Sequence, residues 1–223
     1  MKLGLFSAFH IRGFTLVELS ISLAIMGMMM ALLLYNYPET AIRMTLTNTN
    51  RTTSLLVREA QIRGSAIDSG DTSLVESPIG GYGVYANLAS SSKLVLFADF
   101  TDVSVPKPYG LTVGNGFYEN IGIDETKSIT NFPQGYTIAK LCIWSNNKFI
   151  CNSDYTPVIQ TLTISFTRPS PQPSIYINDA LPSFTAGCIE LHSPRGPIVG
   201  HVRSVQVFNS GMIRTQVGPC DNS

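Results

Sequence analysis

The sequence predicts an α+β fold: one long N-terminal helix, half membrane-spanning and half amphipathic, packed on an antiparallel β-sheet or β-sandwich head. Three observations carry this. A membrane-length apolar run from Phe14 to Tyr35 is charged only at Glu18. A stripe at helical spacing follows, from Ile42 to Ile67. From about residue 80 the chain turns to short β-branched and aromatic runs separated by turn signals.

Composition bounds the partners. The 223 residues carry a formal net charge of +0, and only 13% are charged. Nothing forms a basic surface for phosphates, so nucleic acid is not an expected partner. The four cysteines, Cys142, Cys151, Cys188 and Cys220, form an even set suited to two disulfides in an oxidising compartment. They lack zinc-ligand spacing. His10, His192 and His201 are too dispersed for a metal site and are expected at surfaces or turns. Ser193 beside His192 is not a triad, because a triad is a geometry and not an adjacency. No phosphate loop, HExxH or GxSxG occurs, so no enzyme activity is expected.

The opening divides into residues 1–13, 14–37 and 38–67, ahead of a head at 68–223. The apolar run is too long for a secretory signal, and no small-residue cleavage site follows it. It is long enough to span a bilayer once. Lys2 and Arg12 place its N-terminal side in the cytoplasm, so the head lies outside. Neither an ordinary signal nor an ordinary anchor explains Glu18. A carboxylate in an inserted helix costs about 2.5–3.5 kcal/mol at the bilayer centre, less near an end, and usually has a partner and a function.

Arg12-Gly13-Phe14-Thr15-Leu16-Val17-Glu18-Leu19 resembles the prepilin processing site of type IV pilins and of the pseudopilins of type II secretion systems. The resemblance implies that residues 1–13 are a leader and that a prepilin peptidase cleaves between Gly13 and Phe14. It also implies that the same peptidase N-methylates Phe14. Glu18 then stands at the fifth mature position. Implied partners are other pilin or pseudopilin subunits and an inner-membrane assembly platform. The expected location is the inner membrane and then a pilus or pseudopilus. Cleavage creates a positive amine on Phe14, which can meet Glu18 of a neighbouring subunit. A buried ion pair of this kind is worth more for register than for stability.

Pro38 should break or kink the helix. Beyond it, Ile42, Leu46, Thr49, Thr53, Leu56, Ala60 and Ile67 follow one helical stripe, with Arg43, Arg51, Arg58 and Arg63 mostly off it. Gly64 and the DSGD segment at 68–71 should end the helix. A rival reading takes the Thr-rich stretch 45–54 as a flexible stalk, since threonine is a mediocre helix former.

Candidate strands are 82–86, 93–98, 136–144, 148–151, 158–167, 174–178, 188–192, 199–208 and 212–217. One hairpin is specified in detail. Asn146-Asn147 tolerates the positive φ of a two-residue type I′ turn. That turn pairs Ser145 with Lys148, Trp144 with Phe149, Ile143 with Ile150 and Cys142 with Cys151. The cysteines then fall on a non-hydrogen-bonded pair, within disulfide range. Cys188 and Cys220 are left to pin the C-terminal tail. The loop-entropy account gives each bridge about 3 to 4 kcal/mol.

The stretch Cys188 to Gly218, with Arg203-Ser-Val-Gln-Val207 and Asn209-Ser-Gly-Met-Ile-Arg214, is similar to the C-terminal region of H-type minor pseudopilins and related minor pilins. Those have β-sandwich-like heads. Pro197 to His201 departs from a tight hairpin there. Asp99, Asp102, Glu119, Asn120, Asp124 and Glu125 bracket a Gly/Asn-rich loop whose oxygens suit calcium, which some pseudopilins bind, although the spacing is not that of an EF-hand. No other cofactor is expected. The expected function is a structural subunit of a pilus-like or pseudopilus filament, a minor one by the C-terminal resemblance. The alternative is a membrane-anchored extracytoplasmic binding domain that does not polymerise.

Overall fold

The computed structural model describes residues 15–65, 81–99, 116–118, 125–167, 170–180 and 183–220. The chain divides into two compact units, Met1–Ala41 and Ile42–Ser223. One helix, α1 (Leu16–Ser65), supplies all the described structure of the first unit and opens the second. Pro38 lies inside α1 and does not end one helix and start another. A proline removes one amide from the ladder, and the turns on both sides keep the helix.

Within the second unit α1 buries one stripe. Leu46, Thr49, Thr53, Leu56 and Ala60 are buried as the spacing predicts, joined by Asn50, Val57 and Gln61. Arg43, Arg51, Arg58 and Arg63 face solvent. The Thr-rich stretch is helical and not a stalk. Its hydroxyls donate back along the helix, Thr49 Oγ1 to the Thr45 carbonyl at 2.9 Å and Thr53 Oγ1 to the Thr49 carbonyl at 3.0 Å. A threonine bonded this way brings no unsatisfied hydroxyl into the core.

Ten strands follow: β1 (Gly81–Asn87), β2 (Lys93–Asp99), β3 (Thr126–Asn131), β4 (Thr137–Ser145), β5 (Lys148–Cys151), β6 (Thr161–Phe166), β7 (Pro173–Ile177), β8 (Ala186–His192), β9 (Val202–Phe208) and β10 (Ile213–Val217). They form two five-stranded antiparallel sheets, ordered β3-β2-β1-β6-β7 and β10-β9-β8-β4-β5. Both turn one face to a common core with the α1 stripe. Val84, Leu96, Leu162, Ile164 and Ile175 come from the first sheet, and Leu141, Ile143, Ile189, Val205 and Val207 from the second.

β3 was not among the expected strands, and β6 and β9 each begin three residues later than expected. β3 has no hydrophobic alternation; its one apolar residue, Ile129, is 49% exposed, so it is an edge strand held by backbone pairing to β2. β6 begins at Thr161 and not at 158, because the side chain of Asn178 takes over the pairing there. Its Oδ1 accepts from the Gln160 amide at 2.8 Å, and its Nδ2 donates to the Val158 carbonyl at 2.8 Å. β9 begins at Val202 and not at 199, because Gly200 adopts φ 87° and the His201 amide closes a turn on the Ile198 carbonyl.

Gly64 lies in the last turn of α1, one residue before its end at Ser65; Ile67 and residues 68–71 lie outside the described residues. Gly64 is buried where α1 meets β6, and a Cβ there would collide with the carbonyl oxygen and Cβ of Phe166. Gly64→Ala therefore sets a helix-propensity gain of about 1 kcal/mol against overpacking of about 1–3 kcal/mol or more. We expect a net loss of stability in thermal unfolding; a stabilised variant would contradict this close approach.

Candidate functional site

The N-terminal candidate site is built on the first turns of α1. Gly13 and Phe14, the expected cleavage and methylation residues, lie outside the described residues. Thr15 precedes the helix, and its Oγ1 accepts from the Glu18 amide at 3.3 Å. Thr15-x-x-Glu18 thus has capping-box spacing, and its threonine half is formed. Glu18 is solvent-exposed within the first unit and suits the positive end of the helix.

From Leu16 to Tyr37 this helix offers no polar face. Its apolar side chains are exposed all round, from Leu16 at 85% to Tyr37 at 72%, and length and composition suffice to cross a membrane. A helix apolar on every side needs lipid or other helices around it. The hydroxyls are prepared for that: Ser20 Oγ donates to the Val17 carbonyl and Ser22 Oγ to the Glu18 carbonyl, both at 2.8 Å. Glu18 is the only charged side chain in the span. Ser20, Ala24, Gly27 and Ala31, at spacings of four, three and four, put small residues on one face. Within the chain, a Cβ on Gly27 would touch nothing. In membranes, small faces let helix backbones approach closely.

In the head, the hairpin β4–β5 pairs Ser145 with Lys148, Trp144 with Phe149, Ile143 with Ile150 and Cys142 with Cys151. Asn146 and Asn147 take φ 52° and 64°. Disulfides join Cys142 to Cys151, with Cα atoms 4.0 Å apart, and Cys188 to Cys220, at 6.1 Å.

The second sheet has an outer face, away from the core, where Lys140, Cys142, Cys188, Glu190, His192, Ser204 and Gln206 gather. The C-terminal residues cover part of it: the Gly218 amide donates to the Val202 carbonyl, and Ser204 Oγ donates to the Pro219 carbonyl. Glu190, 2% exposed, is the polar centre. Its Oε2 accepts from the Cys220 amide at 3.2 Å, and its Oε1 lies 2.8 Å from His192 Nε2 and 3.6 Å from Lys140 Nζ. Burial works to raise its pKa. The bonds from His192 and the Cys220 amide, with the charges of Lys140 and His192, outweigh burial and hold it below its ordinary value. Sequence spacing carries no sign of this cluster, because it depends on the pairing of β4 with β8 and on the returning tail.

His201 lies in the turn before β9, one of the two expected places, but it is buried there. It is 2% exposed, Ser193 is 3% exposed, and Ser193 Oγ lies 2.8 Å from His201 Nδ1. The same oxygen accepts from the Arg195 amide at 3.2 Å. The pair closes the β8–β9 loop on itself. His192 is half-buried on Glu190; His10 lies outside the described residues.

Of the calcium candidates, Asp99 and Glu125 are described and buried, while Asp102, Glu119, Asn120 and Asp124 are not described. Asp99 Oδ2 accepts from the Gly116 amide at 2.8 Å, and the Glu125 carbonyl accepts from the Ala98 amide at 2.9 Å. The first of these bonds ties residues 116–118 over the outer face of the first sheet, where Tyr118 packs on Tyr85 and Phe97, and Phe117 packs on Tyr176. Among the described residues, no group of three or more His, Cys, Asp or Glu side chains gathers as metal ligands do.

Residues 9–34 match the prokaryotic N-terminal methylation motif. The match supports a type IV pilin-like subunit, anchored by a single apolar helix, processed by a prepilin peptidase and assembled with other pilin subunits. No curated protein and no solved structure matches the chain.

The Glu190 cluster predicts a pH dependence. Its pKa in the fold lies below that in the unfolded chain, so its stabilisation is present above the ordinary value of 4.5 and is lost as pH falls through the lower folded value. Glu190→Gln should destabilise the head by about 1–3 kcal/mol near neutral pH. The gap from wild type, read by denaturant unfolding, should close as the solution is acidified below pH 4.5.

Proposed function

We propose that this chain is a structural subunit of a type IV pilus-like filament or a type II secretion pseudopilus. In this reading it is cleaved after Gly13, methylated on Phe14 and assembled through the apolar half of α1. The observation that carries the reading is the methylation motif on a helix with exposed apolar side chains on every face and one charge, Glu18. Each mature neighbour would present a Phe14 amine to Glu18, and the small face at Ser20, Ala24, Gly27 and Ala31 would allow close helix contact. The C-terminal resemblance to H-type pseudopilins favours a minor subunit.

Glu18→Gln separates the two roles of this residue. Glutamine can serve the capping box but cannot balance an amine's charge. Removing one member of a buried pair costs about 3–5 kcal/mol. Both Glu18→Gln and Glu18→Ala should therefore insert normally yet lose most sheared filaments and cross-linked subunit ladders. Normal assembly of Glu18→Gln would reduce Glu18 to a helix cap and favour the non-polymerising membrane-anchored domain. Gly27→Leu tests the helix contact separately: insertion unchanged and head stability unchanged, with filament yield down by about tenfold or more. Unchanged yield would remove that face from the interface.

A further inference from the structure

The two disulfides are neighbours. Cys142 is the cross-strand partner of Cys151 on one side and of Cys188 on the other. Opposed residues in a sheet point to the same face, so Cys142, Cys188 and Cys220 form one buried cluster, with Cys151 packed at its border. The backbone geometry fixes how close the inner pair stands. The Leu141 amide and the Ala139 carbonyl both bond the side chain of Asn152, at 2.8 and 3.2 Å, on the β5 side. Along a strand these groups alternate in direction, so the amide and carbonyl of Cys142 face β8. Cys142 and Cys188 are then a hydrogen-bonded pair with Cα atoms about 5.5 Å apart, inside the range that a disulfide spans.

We propose that the four cysteines are a thiol–disulfide exchange site for a dithiol, relayed from Cys151 through Cys142 and Cys188 to Cys220. Cys151 is half-buried, whereas Cys142 and Cys188 are fully enclosed. A thiolate of the dithiol attacks Cys151 Sγ, and the bond to Cys142 breaks, leaving the electron pair on Cys142. A thiolate enclosed in an apolar cluster is disfavoured, and the adjacent sulfur is Cys188. Cys142 attacks it, a Cys142–Cys188 bond forms, and the Cys188–Cys220 bond breaks with its electron pair on Cys220, which takes a proton from water. The second thiol of the dithiol then displaces Cys151, closing a cyclic disulfide. In total the dithiol loses two electrons and two protons, and the chain gains them as thiols at Cys151 and Cys220. The enclosed pair stays bonded, and the tail keeps its hydrogen bonds to Glu190, Ser204 and Val202.

The test uses the oxidised full chain in detergent with one equivalent of dithiothreitol, quenched with acid and labelled with N-ethylmaleimide. Cleavage after Lys and Arg and before Asp separates all four cysteines for mass mapping, at Lys148, Asp154, Asp179, Arg195, Arg203 and Arg214. The expected main two-electron product carries label on Cys151 and Cys220 and a Cys142–Cys188 cross-link. Label confined to Cys142 and Cys151, or to Cys188 and Cys220, with the other native bridge intact, would overturn the relay. Cys151→Ser provides a second readout without reductant: most molecules should hold the Cys142–Cys188 bridge and label at Cys220. Label at Cys142 beside an intact Cys188–Cys220 bridge would also overturn it.

Discussion

The structure turns on one mismatch: α1 carries more apolar surface than the described residues cover. From Ile42 onward, a single stripe is apolar or small, and two sheets bury it. From Leu16 to Tyr37 apolar side chains stand exposed on every face, and among the described residues nothing covers them. Burying apolar surface is the main favourable force in folding and association, at about 25 cal/mol per Å². That segment therefore requires lipid or copies of itself. In the proposed assembly Glu18 would make the requirement selective, since a carboxylate enters a helix bundle at low cost only where a cation meets it.

The head provides the fixed body to which this helix is tied. Gly64 lets the last turn of α1 touch the β6 backbone, and the buried Gln61 amide donates to the Gly211 carbonyl at 2.9 Å. The outer sheet faces are closed by short coverings: Phe117 and Tyr118 on one, the tail around Cys220 on the other. Each covering hangs on a buried carboxylate, Asp99 for the first and Glu190 for the second, accepting a backbone amide. A charged acceptor makes a stronger bond than a neutral one, and it holds a segment that has no strand partners of its own.

Much of this was legible in the residues. The α+β class, the stripe from Ile42 to Ala60 and the β4–β5 register follow from local rules. In the hairpin, two asparagines set the turn, the turn sets the pairing, and the pairing brings Cys142 to Cys151. β3 was not legible, because an edge strand held by its backbone needs no hydrophobic pattern. The second role of Gly64 was not legible either, because a sequence does not reveal a neighbouring strand that leaves no room for a Cβ. The Glu190 cluster and the Ser193–His201 pair were invisible for a related reason. Their members meet through sheet pairing and a closed loop, and spacing along the chain does not encode those. In the N-terminal site, the motif was plain, whereas the capping bond from the Glu18 amide to Thr15 emerged only with the helix start in view.

The central claim is that the apolar half of α1 is a matured assembly surface and not a plain anchor. Mass spectrometry of the intact protein and of its N-terminal peptide, taken from the native membrane fraction, tests this most directly. The account predicts a chain that starts at Phe14 with one methyl group on its amine. A chain that still begins at Met1 would contradict it, since no new amine would exist for Glu18 to meet.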